Sequence, residues 1–283
     1  MELSRLADAY DHVLLDLDGC VWIGDEAVPG SVAAIAALRR AGKRVGFVTN
    51  NARSAGEDFV RRLWSVGIQA SLEEVVTVGG ALQRVLAERH AGQTAVVIGS
   101  PAIHRHVTEA GLRIVNGGSF VSRAQVVVVA GHDGFDYDEL RDSMLALRRG
   151  AILLGANRDP SYPMPGGYWP GTGAILAAVE VAGEATAEIV GKPHPGLFLT
   201  ALDRFGPGRT LMIGDRLDSD LAGAHAAGLD GAIVLSGATD EAEARAARDP
   251  RPVAIAATLA DLVLASHDEE PPARSETAGG ERS

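Results

Sequence analysis

The chain has 283 residues, 46% of them hydrophobic, which is enough for one large or two ordinary domains with a substantial core. A formal net charge of −11 argues against nonspecific binding to nucleic acid or to an anionic membrane, and no apolar run is long enough to cross a bilayer. The lone cysteine, Cys20, excludes an internal disulfide framework and fits a reducing, cytoplasmic location, and the first residues lack the layout of a secretory signal.

The first expected strand, Val13–Leu17, closes on Asp16-Leu17-Asp18-Gly19. Two carboxylates two residues apart project to the same side of a strand's end, and their repulsion calls for a cation or a shared proton. A helical pattern over Val32–Arg40 follows, then a strand Arg44–Thr49 that ends in the hydroxyl and two amides of Thr49-Asn50-Asn51. Ser54-Ala55-Gly56-Glu57 has the spacing of a capping box ahead of a helix over Phe59–Val66, so hydrogen-bond donors gather where an anion could sit. Strands are expected at Ala95–Gly99, Val126–Ala130 and Ala151–Gly155, separated by helices over Ile103–Ala110 and Leu140–Arg149. Ser100-Pro101 supplies an N-cap with proline at the first helical position.

A segment rich in proline and aromatic residues, Asn157–Pro170, precedes a helix over Ala174–Ala182. Gly191-Lys192-Pro193 then sets a lysine in a constrained backbone, before a helix over Leu197–Phe205. The strand Leu211–Ile213 runs into Gly214-Asp215-Arg216-Leu217-Asp218-Ser219-Asp220, a spacing unlike that of an EF-hand loop. A helix over Leu221–Ala227 and a strand Ala232–Leu235 follow. Most of these helices stop at a glycine, as expected of C-terminal caps, Gly183 among them. Continuous apolar strands alternating with helices imply an α/β fold with parallel sheets covered on both faces. Residues 266–283, with little to bury, are expected to be disordered.

Four of these segments carry chemistry, and each lies where a strand would end, the place where open α/β sheets bind ligands. They supply carboxylates for a hard cation, a hydroxyl and amides for phosphate oxygens, and a fixed lysine. Together they resemble the haloacid dehalogenase superfamily of phosphohydrolases. Within it the resemblance is to the subclass with a large C2-type α/β cap between the second and third motifs, the NagD-like, phosphoglycolate, glycerol-3-phosphate and pyridoxal phosphatase branch. It covers residues 10–265 in consistent order.

The resemblance implies a Rossmann-like core built from residues 1–80 and 188–265, with a cap domain at 81–187. It makes Asp16 the nucleophile of an aspartyl-phosphate and Asp18 the general acid, then base. Thr49 and the Asn50 backbone would bind phosphoryl oxygens, with Lys192 offsetting charge on Asp16 and the phosphate. Mg²⁺ would be held by the Asp16 carboxylate, the Asp18 carbonyl and Asp215, with Asp220 outside the coordination sphere. Asn51 and, in the cap, Tyr162, Met164 and Trp169 would contact the leaving group. An acid at Asp18 favours phosphatase over dehalogenase chemistry, because a leaving alkoxide needs a proton and a halide does not.

The implied substrate is a small phosphorylated metabolite, glycerol 3-phosphate or 2-phosphoglycolate first, then sugar phosphates, nucleotides or pyridoxal phosphate. Apolar cap residues permit a homodimer through the cap. Cys20 departs from the threonine usual after D-x-D-G, and is expected to pack; His194 could line the site or serve as scaffold. A receiver-like phosphate-binding module shares the acidic strand ends, hydroxyl and lysine, but needs neither Asp18 nor a long cap. A nucleotide-dependent oxidoreductase lacks its G-x-G-x-x-G after the first strand.

Overall fold

The computed structural model describes residues 2–265; the tail at 266–283, expected to be disordered, lies outside the described residues. In chain order the strands are β1 (His12–Leu15), β2 (Trp22–Ile23), β3 (Glu26–Ala27), β4 (Arg44–Thr49), β5 (Val75–Thr77), β6 (Thr94–Gly99), β7 (Arg113–Ile114) and β8 (Val126–Gly131). They continue as β9 (Ile152–Gly155), β10 (Ser161–Met164), β11 (Gly167–Pro170), β12 (Glu188–Ile189), β13 (Thr210–Gly214), β14 (Asp230–Val234) and β15 (Ile255–Ala256). A six-stranded parallel sheet has the order β15-β14-β13-β1-β4-β5. A five-stranded parallel sheet, β12-β9-β8-β6-β7, is inserted between β5 and β13. Two antiparallel hairpins, β2-β3 and β10-β11, complete the strands.

The long strands form where the sequence is a mostly continuous apolar run, because both faces of each sheet are covered. β1 and β8 are buried throughout. Alternation along β1 sends Val13 and Leu15 to one face of the six-stranded sheet, with Val45, Phe47 and Ile213, and Leu14 to the other, with Val48 and Met212. That second apolar layer also contains Val97, Val128 and Leu154 of the five-stranded sheet. The helix Val78–Arg89 contributes Val78, Leu82 and Leu86 to it, so core and insert share one layer.

Three expectations shift. The expected capping box is only half formed and lies one residue on: Ala55, which has no side-chain acceptor, is the N-cap of the helix Gly56–Ser65, and Asp58 accepts from the Ala55 N–H at 3.0 Å. Gly183 lies inside its helix, and Glu184 takes the left-handed conformation at φ 49° instead. Gly183 is needed for packing: a Cβ there would lie 2.4 Å from Leu147 Cδ1 of the neighbouring helix. Finally, β12 pairs with β9, carrying the insert's sheet two residues past the expected boundary at 187.

Candidate active site

Parallel pairing brings Leu15 level with Phe47 on one side and Ile213 on the other, so the segments after β1, β4 and β13 open at one edge of the sheet. Asp16 stands first beyond β1, its N–H bonded to Ile213 O at 2.9 Å. Lys192, 2% exposed, reaches this edge from the segment after β12. Its Nζ donates to Asp16 Oδ1 and to Asp220 Oδ1, each at 2.6 Å, and to Val48 O at 3.1 Å. All three ammonium protons therefore have acceptors, and one Asp16 oxygen is held while the other is left for chemistry.

Asp220 is fully engaged, because its second oxygen accepts from the backbone N–H groups of Asp215 and Arg216 at 3.2 and 3.0 Å. Asp215 differs. Its Oδ2 accepts from Ala238 N at 2.6 Å, but its Oδ1 is buried with no hydrogen-bond partner. Oxygens of Asp16, Asp215 and Asp220 lie within 4.8 Å of one another. A buried, unpartnered carboxylate oxygen beside two further carboxylates is costly unless a cation or proton joins it. Gly19, at φ 91°, and Gly237 make the space: a Cβ on either would meet Asp215 Oδ2 at 2.5 and 2.0 Å.

The electrostatics follow from burial. Desolvation pushes the Asp16 carboxyl well above the usual range against the pull of Lys192, with Asp220 and Asp215 adding repulsion. Asp215 is pushed up to about 7, by desolvation and then by Asp220. Burial alone would lower the Lys192 ammonium, but Asp16 and Asp220 outweigh it and hold the proton firmly. Asp18 sits at the cleft with both oxygens anchored: Trp22 Nε1 donates to Oδ1 at 2.9 Å and Asn51 Nδ2 to Oδ2 at 3.0 Å.

Thr49 Oγ1 accepts the Asn51 N–H at 3.0 Å, which leaves its hydroxyl proton to donate into the cleft. The Asn50 side chain is structural: Nδ2 donates to Asp159 Oδ2 and Lys192 O at 3.1 Å, and Oδ1 accepts from Lys192 N at 2.8 Å. A ligand contact from Asn50 thus falls to its backbone.

The insert closes one side of the cleft with Asn157, Asp159, Ser161, Tyr162, Pro163 and Thr172. Asn157 Nδ2 donates to Asn50 O at 2.8 Å, and half-buried Asp159 lies 3.7 Å from Arg216 Nε. The hairpin β10-β11 also touches the core, where Tyr168 OH donates to Gly237 O at 2.9 Å.

Of the residues singled out from sequence, Asp16, Asp18, Thr49, Asn50, Asn51, Tyr162, Lys192 and Asp215 line one cleft, with Asp220 directly behind. Met164 and Trp169 do not line it. Trp169 is half exposed, and is opposite Tyr162 in the hairpin register, edge to face with its ring at 6.5 Å. It therefore supports Tyr162 rather than the cleft. His194 is exposed and accepts from Gly196 N. Cys20 is buried, its thiol pushed up chiefly by desolvation, with Ile213 O at 3.8 Å. Sequence reasoning missed Arg53, Asn157, Asp159, Arg216 and Ser219 as cleft residues. All five stood within or just beside motifs already noted, and that adjacency was the available signal.

Residues 13–113 match the sequence profile of haloacid dehalogenase-like hydrolases, and residues 189–262 a second profile described as HAD-hydrolase-like. The D-glycerol 3-phosphate phosphatase of Mycobacterium tuberculosis is 35% identical over 236 residues, which cover 83% of this chain and 65% of that protein. The chain thus spans just under two thirds of that relative's length. Human chronophin is 35% identical over 248 residues, covering 83% of this chain and 84% of chronophin. The crystal structure of the mycobacterial glycerol phosphate phosphatase in complex with magnesium superposes with a TM-score of 0.83 at 34% identity, covering 93% of this chain and 79% of that one. NagD from Escherichia coli gives 0.75 at 25% identity, covering 89% and 97%. On sequence, fold and the arrangement of its strand-end residues, the chain belongs to the haloacid dehalogenase-like hydrolase family.

Proposed function

We propose that this protein is a Mg²⁺-dependent phosphatase of small phosphorylated metabolites, glycerol 3-phosphate and 2-phosphoglycolate foremost, acting through an aspartyl-phosphate on Asp16. The observation that carries this reading is the pairing of Asp16, held through one oxygen by Lys192, with Asp18, anchored two residues away at the open cleft. Asp16 and Asp215, with the Asp18 carbonyl, would hold Mg²⁺, and the unpartnered Asp215 oxygen fits that role. When bound, the cation neutralises carboxylate and phosphoryl oxygens so that like charges can approach.

In the first step the free Asp16 oxygen attacks phosphorus, and the bond from phosphorus to the leaving oxygen breaks. Asp18 gives that oxygen its proton, so the product leaves as an alcohol. In the second step the Asp18 carboxylate takes a proton from water as the water oxygen attacks phosphorus. Phosphate departs and Asp16 is regenerated. Lys192 and the Thr49 hydroxyl stabilise the phosphoryl oxygens throughout, in a setting already organised before substrate arrives. The insert, whose sheet runs on to Ile189, acts as the cap that excludes water and supplies leaving-group contacts through Tyr162.

The free buried thiol of Cys20 fits a reducing, cytoplasmic setting, and apolar side chains exposed on the insert, such as Val181, suit a homodimer formed there. No described helix is long and apolar enough to cross a membrane.

A panel of phosphomonoesters assayed with Mg²⁺ and with EDTA tests the reading. It should show Mg²⁺-dependent phosphate release that Asp16→Asn abolishes without loss of fold by circular dichroism. Turnover indifferent to EDTA, or an active Asp16→Asn protein, would sink it.

A further inference from the structure

Arg53 follows the Thr49-Asn50-Asn51 segment and lines the cleft next to Tyr162. Its guanidinium carbon lies 4.2 Å over the Tyr162 ring, and its Nη2 lies 3.0 Å from Asp133 Oδ1. The ring contact fixes the guanidinium plane, which leaves an N–H edge suited to a planar anion. Asp133 does not compete strongly for that edge. Its side chain is 72% exposed against 25% for Arg53, and a rim pair of that kind contributes little. A carboxylate within the cleft, screened from water by the insert, would make the stronger charge-assisted contact.

Arg53 also stands on the leaving-group side of the site. Asn51 joins it to the acid: its Nδ2 donates to Asp18 Oδ2 and its Oδ1 accepts the Arg53 N–H, both at 3.0 Å. The other cations at the cleft are already committed. Lys192 is clasped by Asp16 and Asp220, while Arg216 is held by Asp218 at 2.9 Å with Asp159 at 3.7 Å. A substrate that carried a carboxylate besides its phosphate would meet Asp18 and the field of a protein of net charge −11. It would need a cation there, and Arg53 is the one placed to serve.

We propose that Arg53 is a specificity-determining residue that reads a carboxylate on the leaving group. It would select phosphomonoesters of small hydroxy acids over those of neutral alcohols of the same size. This rests on the phosphatase reading above and narrows its substrate class.

The test compares kcat/KM for 2-phosphoglycolate and 2-hydroxyethyl phosphate, which share a two-carbon skeleton and differ in the charged group. Wild type, Arg53→Ala, Arg53→Lys and Asp133→Asn are assayed with Mg²⁺. The ratio of the two values should favour 2-phosphoglycolate in wild type and fall about 10- to 100-fold in Arg53→Ala, the range of a hydrogen bond to a charged partner. Arg53→Lys should recover part of the ratio, because a point charge lacks the planar fork. Asp133→Asn should leave the ratio within about twofold of wild type or raise it slightly, because the exposed rim pair competes only weakly. A ratio unchanged by Arg53→Ala, or lowered beyond that range by Asp133→Asn, overturns the proposal. Failure of wild type to release phosphate from p-nitrophenyl phosphate with Mg²⁺ is a different result, and it would bring down the phosphatase reading itself.

Discussion

Lys192→Met is the most informative single perturbation, because it swaps a buried ammonium for an apolar chain of similar length. The ammonium is 2% exposed and makes two ion pairs at 2.6 Å. Without it, Asp16, Asp215 and Asp220 keep oxygens within 4.8 Å of one another and lose their common counter-charge. Such a protein must bury unpaired charge or take up a proton. Protonating an ordinary Asp at pH 7.5 costs about 1.4 kcal/mol per pH unit over roughly four units, so about 5 kcal/mol at most. That ceiling agrees with the roughly 3–5 kcal/mol lost when one partner of a buried pair is removed. For a chain of this size the loss corresponds to a Tm lower by about 6–20 °C.

The comparison is a thermal melt of both proteins in EDTA at pH 7.5 and at pH 5.5. Desolvation already raises Asp16 and Asp215, and without the opposing pull of Lys192 their folded-state pKa values should lie further above the unfolded ones. The variant's folded state therefore holds protons that the unfolded state releases, and its deficit against wild type should shrink as pH falls. Mg²⁺ at pH 7.5 should recover part of the deficit by supplying the missing positive charge, while turnover should remain depressed by at least about 100-fold. A variant that melts within about 2 °C of wild type in EDTA at pH 7.5, against the shift worked out above, would refute the account of Lys192 as the charge holding this cluster together. A deficit that grows on acidification would do the same.

Asp18→Asn should lower kcat/KM by about 10²–10⁴-fold for alkyl phosphates, the usual range for lost proton transfer, and by much less for p-nitrophenyl phosphate, whose leaving group needs no proton. Equal losses on both substrates would remove Asp18 from the acid role. In metal-free protein Asp215 is pushed up to about 7 by burial, so protons compete with Mg²⁺ below that pH. Mg²⁺ should therefore bind about 30-fold more weakly at pH 5.5 than above pH 7, and should raise Tm more at pH 8 than at pH 5.5. The same raised pKa means that Asp215's own contribution to metal-free stability falls as pH rises from about 4 through 7, because the folded state alone keeps its proton over that interval. A Tm gain on adding Mg²⁺ that is the same at both pH values would contradict this.

The main parallel strands and their chemistry were legible because both are local. An apolar run such as Val126–Ala130 has one physical solution in a doubly covered sheet, and charged residues that follow such a run must lie at its end. Short strands were not legible for the converse reason. β5 and β12 have three and two residues, too few to show a period, and they form only because β4 and β9 are there to pair with. The helix Val78–Arg89 hid behind Gly79 and Gly80 in its first turn; Thr77 secures it by accepting from Gly80 N.

What the sequence hid at the site is the set of ties that cross the chain. Asn50 bonds to Asp159 across 109 positions and to Lys192 across 142, so no spacing rule could assign its amide to scaffolding rather than ligand. Those ties have a consequence for how the site works. The backbone that presents Thr49 is fastened to the lysine segment and to the insert through one side chain, and Asn157 adds a second link from the insert to Asn50 O. The shared apolar layer fixes the two sheets behind these contacts. The loop that presents Thr49 and the counter-charge of Asp16 are thus set by the same network that seats the insert. A change at Asp159 or Asn157 should be felt at Lys192 although neither touches it. Tyr162 and Arg53 lie outside that network on the cleft's rim, where their side chains are held by their mutual stacking, the Trp169 ring and one exposed ion pair. Side chains there can change the leaving group a cleft accepts without disturbing the atoms that react, which is why the core motifs identify the reaction and leave its substrate to the rim.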